Sequence, residues 1–383
     1  MRSVKFVILL FVCVLIGGCW DRTEINDLAF VMGTALDLTD DGNILCTLQI
    51  AIPSSTDGGK SGGENGSKSY VIAVEGENGN EIHQKLQKKS ARHLFYSHRS
   101  VVFLSEKLAK HGIDNALDIF THDPRNRLKT YLMVVKGGEA RTILQLNSPL
   151  KPVPIEAVRG MEVSGEDVAV TLRDFFILYG SEGTHPVVGV VEPELRSNDP
   201  EKQIFRVAGT AVFKDLKLSG ILDEKETLGQ MWVTGKLRFG YLTAKLPKGN
   251  GQVGMILNHV DRKISTQIQQ DSVQFKIQLD GQGSLLENNT ALDINEPANF
   301  QLIKKALEDT AKKQVQGFIS KIQKEFKVDS VGFGQEIYKN YPDQWSRWKD
   351  QWDKRFPEVD IAIEVNLKVH GAGMIHSTFE LRE

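Results

Sequence analysis

Apolar and polar positions divide the chain into blocks of different period. An uninterrupted apolar run at 6–16 follows Arg2 and Lys5 and ends at Gly17, Gly18 and Cys19. A basic lead, an apolar stretch of about 7–15 residues and small residues at its end are the layout of a secretory signal. The run is too short to span a bilayer, which takes about 20 apolar residues. Next, 28–38 and 44–52 are apolar runs separated by Asp40, Asp41, Gly42 and Asn43. Such residues supply the positive φ of a tight hairpin, so a strand–turn–strand unit is predicted. A strand at 70–74, a helix at 80–92 and a strand at 100–104 follow. Ser105 and Glu106 open a helix over 107–111 that Gly112 stops. A second short helix covers 115–120 and a strand 128–135. The alternation predicts a mixed α/β domain.

Pro149, Pro152 and Pro154 stiffen a connector, and 163–166 introduces a helix at 171–179. Val187–191 is β-branched; the polar stretch 193–200, bounded by Pro193 and Pro200, reads as a linker and the main domain boundary. Beyond it, 205–213 alternates, 217–222 follows the Lys214-Asp215 break, and 225–232 looks helical. Strands at 254–260, 262–269 and 272–279 predict an antiparallel meander. Asn295 as N-cap and Pro297 in the first turn start the longest helix. Phe300, Ile303, Leu307, Ala311, Val315, Phe318, Ile322 and Phe326 form one apolar stripe along it. Lys304, Lys305, Lys312, Lys313, Lys321 and Lys324 lie opposite. On an anchored protein such a face would suit anionic headgroups, but Glu308, Asp309 and Glu325 interrupt it and make it a solvated surface. After a turn at 329–334 and a helix at 335–341, Trp345, Trp348 and Trp352 share one helical face. They read as a core ridge before a partner hot spot. Alternating runs at 358–369 and 373–381 predict a closing hairpin.

The fold expected is α+β and multi-domain, with two to three mixed α/β domains and a C-terminal antiparallel sheet packed by a long helix. Its expected parts are a signal at 1–18, an N-terminal domain at 19–195 with a mobile Gly/Ser-rich loop at 53–69, a central domain or subdomain at 196–255, and a C-terminal α+β domain at 256–383.

Composition narrows the function. With 40% hydrophobic and 25% charged residues and a formal charge of −2, the chain is globular. It has no basic field for nucleic acid. Removing the signal takes Arg2, Lys5 and Cys13 with it. Cys46, among Ile44, Leu45 and Leu48, then reads as a buried inert thiol. Gly59-Lys60-Ser61-Gly62-Gly63 has the esterase pattern without the strand and helix that a nucleophile elbow needs. The stretch 249–254 spells G-x-G-x-x-G but leads into a strand, so it reads as a hairpin turn instead of a dinucleotide site. His93, His98, His111 and His122 fit no metal-ligand spacing. No catalytic constellation emerges, and no cofactor, metal or enzymatic activity is expected.

Ile16-Gly17-Gly18-Cys19 resembles a bacterial lipobox, with Ile16 where leucine is usual. The resemblance implies cleavage after Gly18 and a Cys19 carrying S-diacylglycerol and an N-acyl group. CWDRTEINDLAFVMGTALD (19–37) resembles the mature start of the Ger(x)C family of spore germination lipoproteins. Further blocks keep family order: RHLFYSHRSVVFLSEKLAKHGI (92–113) with FTHDPRNR (120–127), VAGTAVFKDLKLSGILDEKETLGQMW (207–232), and FKVDSVGFGQEIYKNYPDQW (326–345) continuing through WKDQWDKRFPEVDIAIEVNLKV. The resemblance implies three mixed α/β domains and a non-enzymatic C subunit of a nutrient germinant receptor. It would be held by lipid to the outer surface of the spore inner membrane, beside membrane-embedded A and B subunits. The residues without the resemblance favour another reading, an extracytoplasmic solute-binding lipoprotein serving a permease. An envelope enzyme is the third reading. Whether the subunit itself binds nutrient is left open.

Overall fold

The structure is a computed structural model and describes residues 24–51, 69–121, 126–145, 168–196, 199–246 and 251–370. Its first sheet grows around β1 (Leu28–Leu38) and β5 (Val101–Ser105). β5 is buried along its whole length, as expected of a parallel strand covered on both faces. β1, β5, β6 (Tyr131–Val135) and β7 (Val187–Arg196) run parallel to one another in that order. β2 (Ile44–Ala51) and β3 (Ser69–Gly76) extend one side antiparallel. β8 (Asp199–Lys214) and β9 (Lys217–Leu222) extend the other. A short β4 (His93–Phe95) pairs parallel with the start of β1.

The β1–β2 connection is the expected hairpin. Gly42 takes φ 83°, and the amide of Thr39 donates to the Asn43 carbonyl at 3.0 Å. Alternation along β5 separates the two faces. Val102 and Leu104 join the core beneath α1 (Gly79–Lys88), α2 (Glu106–His111) and α3 (Asp114–Thr121). Val101 and Phe103 pack instead with Ile143 and Leu144 of the 3-10 turn Ala140–Gln145. Ser105 caps α2 as its sequence suggests, accepting from Leu108 N. Thr171 and Asp174 form a capping box on α4 (Leu172–Tyr179). The connector prolines, 163–166 and most of the 53–69 loop lie outside the described residues.

Two expected boundaries are corrected. The stretch 193–200 is no linker: β7 and β8 are paired antiparallel, with Pro193 opposite Phe205 and Leu195 opposite Gln203. The pairing runs as far as Arg196 opposite Asp199, so a cut between 195 and 196 falls inside two paired strands of one sheet. A cut between 255 and 256 falls inside β11 (Gly251–Gln269), which merges two strands expected separately at 254–260 and 262–269.

The second sheet has the order β10 (Gly240–Leu246), β11, β12 (Ser272–Asn288), β13 (Asp360–His370). The first three strands are antiparallel, as expected. The fourth is not: β13 joins β12 in parallel, from Gln274 opposite Asp360 to Ser284 opposite His370. The intervening helices carry the chain back to the starting end of β12, and that reverses the direction assumed for a hairpin. The hairpin's second run, 373–381, lies outside the described residues.

α5 (Glu224–Val233) and α6 (Pro297–Ser320) pack on this sheet. Ile303, Leu307, Ala311, Val315 and Phe318 of the α6 stripe are fully buried with Leu242, Phe275 and Ile277. The cap differs from expectation. Pro297 holds Glu296 extended (φ −72°, ψ 117°), so Glu296 precedes the first turn and Asn295 turns its side chain to Asp293. The lysine face is partly neutralised, with Lys304 beside Glu308, Lys321 on Glu226 at 2.7 Å and Lys324 on Glu358. α6 passes into a π turn, Lys321–Phe326, closed by Lys327 at φ 56°. Then follow α7 (Phe333–Asn340), α8 (Pro342–Trp348) and α9 (Trp352–Arg355).

The tryptophan ridge is core. Trp345, Trp348 and Trp352 are buried, and each indole N–H donates to a carboxylate: Glu182, Asp271 and Asp329 respectively.

Candidate functional site

Cys19, the residue on which lipidation was expected, lies outside the described residues, as do His122 and the serine pattern at 59–63. His93, His98 and His111 are exposed on β4, on the following 3-10 turn and at the end of α2. Among the described residues no group of three or more His, Cys, Asp or Glu side chains is placed to hold a metal. The end of the G-x-G-x-x-G pattern opens a strand: Gly251 and Gly254 face Leu246 and Thr243 in the β10–β11 ladder. Their backbone groups serve the sheet, and no helix begins there.

The structure does form a cavity that no sequence motif announced. It lies between the sheet and the helices α1 and α3, with a volume of about 490 Å³. Thr34 of β1 and Cys46 and Leu48 of β2 make its floor, and Ile82, Leu86 and Ile119 supply apolar walls. Asn78, Asn80 and Asp118 are exposed at the rim. Asn78 is also the N-cap of α1, accepting from Glu81 N. Deep in the cavity is Arg99, only 6% exposed. Its guanidinium donates to Thr34 Oγ1 at 3.2 Å and to Asn126 Oδ1, and it lies 4.7 Å from the Phe120 ring and 5.2 Å from that of Tyr96. Asn126 is fixed in turn by donating to the Ile119 carbonyl. The Tyr96 hydroxyl meets His83 Nδ1 at 3.0 Å. Burial pushes the Cys46 thiol up to about 12, so it stays protonated and unreactive at neutral pH. This agrees with the inert thiol expected from its strand.

Arg99 escaped sequence reading because it is one cation before an apolar run. The weak signal is its position directly ahead of a strand that buries every residue.

A second polar centre joins the two sheets' surroundings. Asp329, wholly buried after α6, accepts from the backbone amides of Val331, Gly332, Phe333 and Gly334 and from Trp352 Nε1. Burial pushes its carboxyl above the usual range, and these donors pull it back. Its carbonyl accepts from His185 N, and Gln335 N donates to Gly183 O. Gly183 and Gly334 touch back to back: a Cβ on Gly334 would come within 2.8 Å of Gly183 Cα and 2.7 Å of Trp352 Nε1. This junction is a structural clamp between the loop after α4 and the C-terminal helices.

Two family models match the chain. One is described as the spore germination protein N-terminal domain, over 21–193, and the other as spore germination B3/GerAC like, C-terminal, over 208–373. The chain is 28% identical to spore germination protein KC of Bacillus subtilis (strain 168), covering 97% of this chain and 96% of that protein. It is 26% identical to spore germination protein B3 of the same organism, covering 97% and 98% respectively. The crystal structure of the GerBC protein matches with a TM-score of 0.56 at 21% identity, covering 91% of this chain and 99% of that one. The last likeness shows the mixed α/β fold with its two sheets.

Proposed function

The chain belongs to the spore germination family whose N-terminal and C-terminal domains it carries in order, and from that membership we propose that it is the lipid-anchored C subunit of a nutrient germinant receptor. The observation that carries this reading is the tiling of the two family models along the chain, 21–193 and 208–373. Relatives matched over nearly their full length are spore germination proteins. The subunit acts without chemistry of its own, beside membrane-embedded A and B subunits, on the outer surface of the inner membrane.

The leader and Cys19 supply the anchor in this reading. Among the described residues no helix is long and apolar enough to cross a membrane. One acyl chain binds a bilayer only marginally, so the diacylglyceryl group and the N-acyl chain act together. Eight residues, the last three of them the 3-10 turn Ile25–Asp27, lie between Cys19 and Leu28 at the head of β1. Their reach is at most roughly 30 Å, which in this reading confines the body close to its partners and raises their effective concentration.

Spores lacking the chain, exposed to single nutrients and in parallel to a trigger that bypasses receptors, test the reading through release of dipicolinic acid. Loss of the response to some nutrients with the bypass intact is expected. An unchanged response to every nutrient, in a strain without a paralogue, would overturn it. Cys19→Ala should weaken the same response while the soluble body keeps its fold by circular dichroism, and normal germination would show the lipid to be dispensable.

A further inference from the structure

We infer that α1 guards the open edge of the first sheet, and that Lys85 and Lys89 keep β3 from pairing with the same strand of a second copy of this chain. Among the described residues no strand pairs with the outer side of β3, which ends the sheet beyond β2. An uncovered edge offers its backbone groups as a template for another strand. Tyr70-Val71-Ile72-Ala73-Val74 adds to that hazard, being five residues rich in strand formers and without a charge. A second copy is the matching donor, because two such edges are self-complementary across a two-fold axis.

α1 meets that edge turn by turn. Glu81, Lys85 and its C-cap Lys89 recur every fourth residue and so share one side of the helix. Lys89 Nζ donates to the Ala73 carbonyl at 2.7 Å, and Lys85 Nζ donates to the Glu75 carbonyl at 2.8 Å. One turn earlier, the Glu81 carboxylate accepts from Glu77 N at 2.8 Å. The two periods agree: four helical residues advance about 6 Å, and two strand residues about 6.7 Å. Residues two apart in a ladder present their backbone groups to the same side. The side chains of α1 therefore run antiparallel along β3 and occupy the acceptors that an added strand would use. Lys85 is held in place by Glu81 at 2.6 Å. A strand arriving at β3 has to displace both ammonium groups before it can pair, and edge lysines are a common device against such pairing.

The inference goes beyond the receptor reading and stands apart from it, because association is measured on the chain without its partners. The full-length chain, purified in an uncharged detergent, is compared with Lys85→Ala/Lys89→Ala by sedimentation over a range of concentrations and by hydrogen exchange of the β3 amides. Alanine keeps the helix, so the variant should fold and then self-associate at concentrations about tenfold or more below any at which the unchanged chain does. The amides of Val71 and Ala73 should gain protection in the associated form. Either single substitution should give part of the effect. Lys85→Arg/Lys89→Arg, which keeps both donors, should sediment as the unchanged chain. Lys312→Ala/Lys313→Ala removes the same charge from α6 and should not associate. A Lys85→Ala/Lys89→Ala chain that keeps the mass of the unchanged one, equal association of the α6 variant, or association without protection at β3 would each overturn the inference.

Discussion

Asp329 makes five hydrogen bonds through one buried carboxylate, and all five donors would lose their acceptor together. Each buried unsatisfied donor costs about 1–3 kcal/mol. Relaxation and water entry recover part of that. Asp329→Ala should therefore destabilise the fold by about 3 kcal/mol or more, read as a lower urea midpoint, and an unchanged midpoint would show that the turn holds without it. Sequence reading found a turn at 329–334 but not this role, because an Asp before Ser-Val-Gly looks like any turn residue until Trp352 and His185 are brought to it. Cys46 was legible, since its burial follows from its immediate neighbours in one strand. Arg99 was not, because its surroundings come from β1, the loop before β6 and α3, elements far apart in sequence.

At the scale of elements, local patterns carried furthest. The β1–β2 turn, the Ser105 cap and the α6 stripe all depend on contacts within a few residues, and all three stand in the structure. Leu307 lies at the middle of that stripe with no exposed surface. Leu307→Ala should cost about 2–5 kcal/mol, measured by denaturant unfolding. The same change at Leu302, which is 44% exposed on the other side, should stay within about 0.5 kcal/mol. A comparable loss at both positions would mean that the helix, and not its packing, sets the cost. What failed at this scale was direction. The alternating run of β13 was read correctly as a strand, yet periodicity of two is the same for parallel and antiparallel pairing, so it could not choose the partner. Asn295 lost the cap for a similar reason: it is a good capping residue, but the proline two positions later fixes which backbone is last to be extended.

At the scale of the whole molecule, the first sheet crosses the division between the two family models. β7 begins within the first model's span, β8 enters the second only at Ala208 and β9 lies wholly within it, so 21–193 alone leaves β7 as an open edge. Its pairs with β8 run from Val187–Val212 to Arg196–Asp199. The clamp of Asp329, Gly334 and Trp352 adds contacts from the far end of the chain. Fragments 21–193 and 208–373, expressed apart, should each lack cooperative thermal unfolding, and co-expression should restore it in part. Two independent cooperative transitions would show that the units are autonomous. The linker reading failed because a polar stretch between two prolines is compatible with both a tether and the tip of a long hairpin; only the pairing of its flanks distinguishes them.

The parallel seat of β13 has a consequence for how the molecule is made. Gln274 and Asp360 are neighbours across that ladder although 86 residues separate them. The strand cannot dock until all the helices between have been synthesised and have turned the chain around. Pairings of such sequence separation are slow, since the loop must close before any contact rewards it. During that interval β12 is an unfinished edge, with its backbone groups paired to β11 on one side alone. A strand this late in the chain thus completes the second core, and a nascent body whose β13 is delayed is the form most exposed to aggregation and proteolysis.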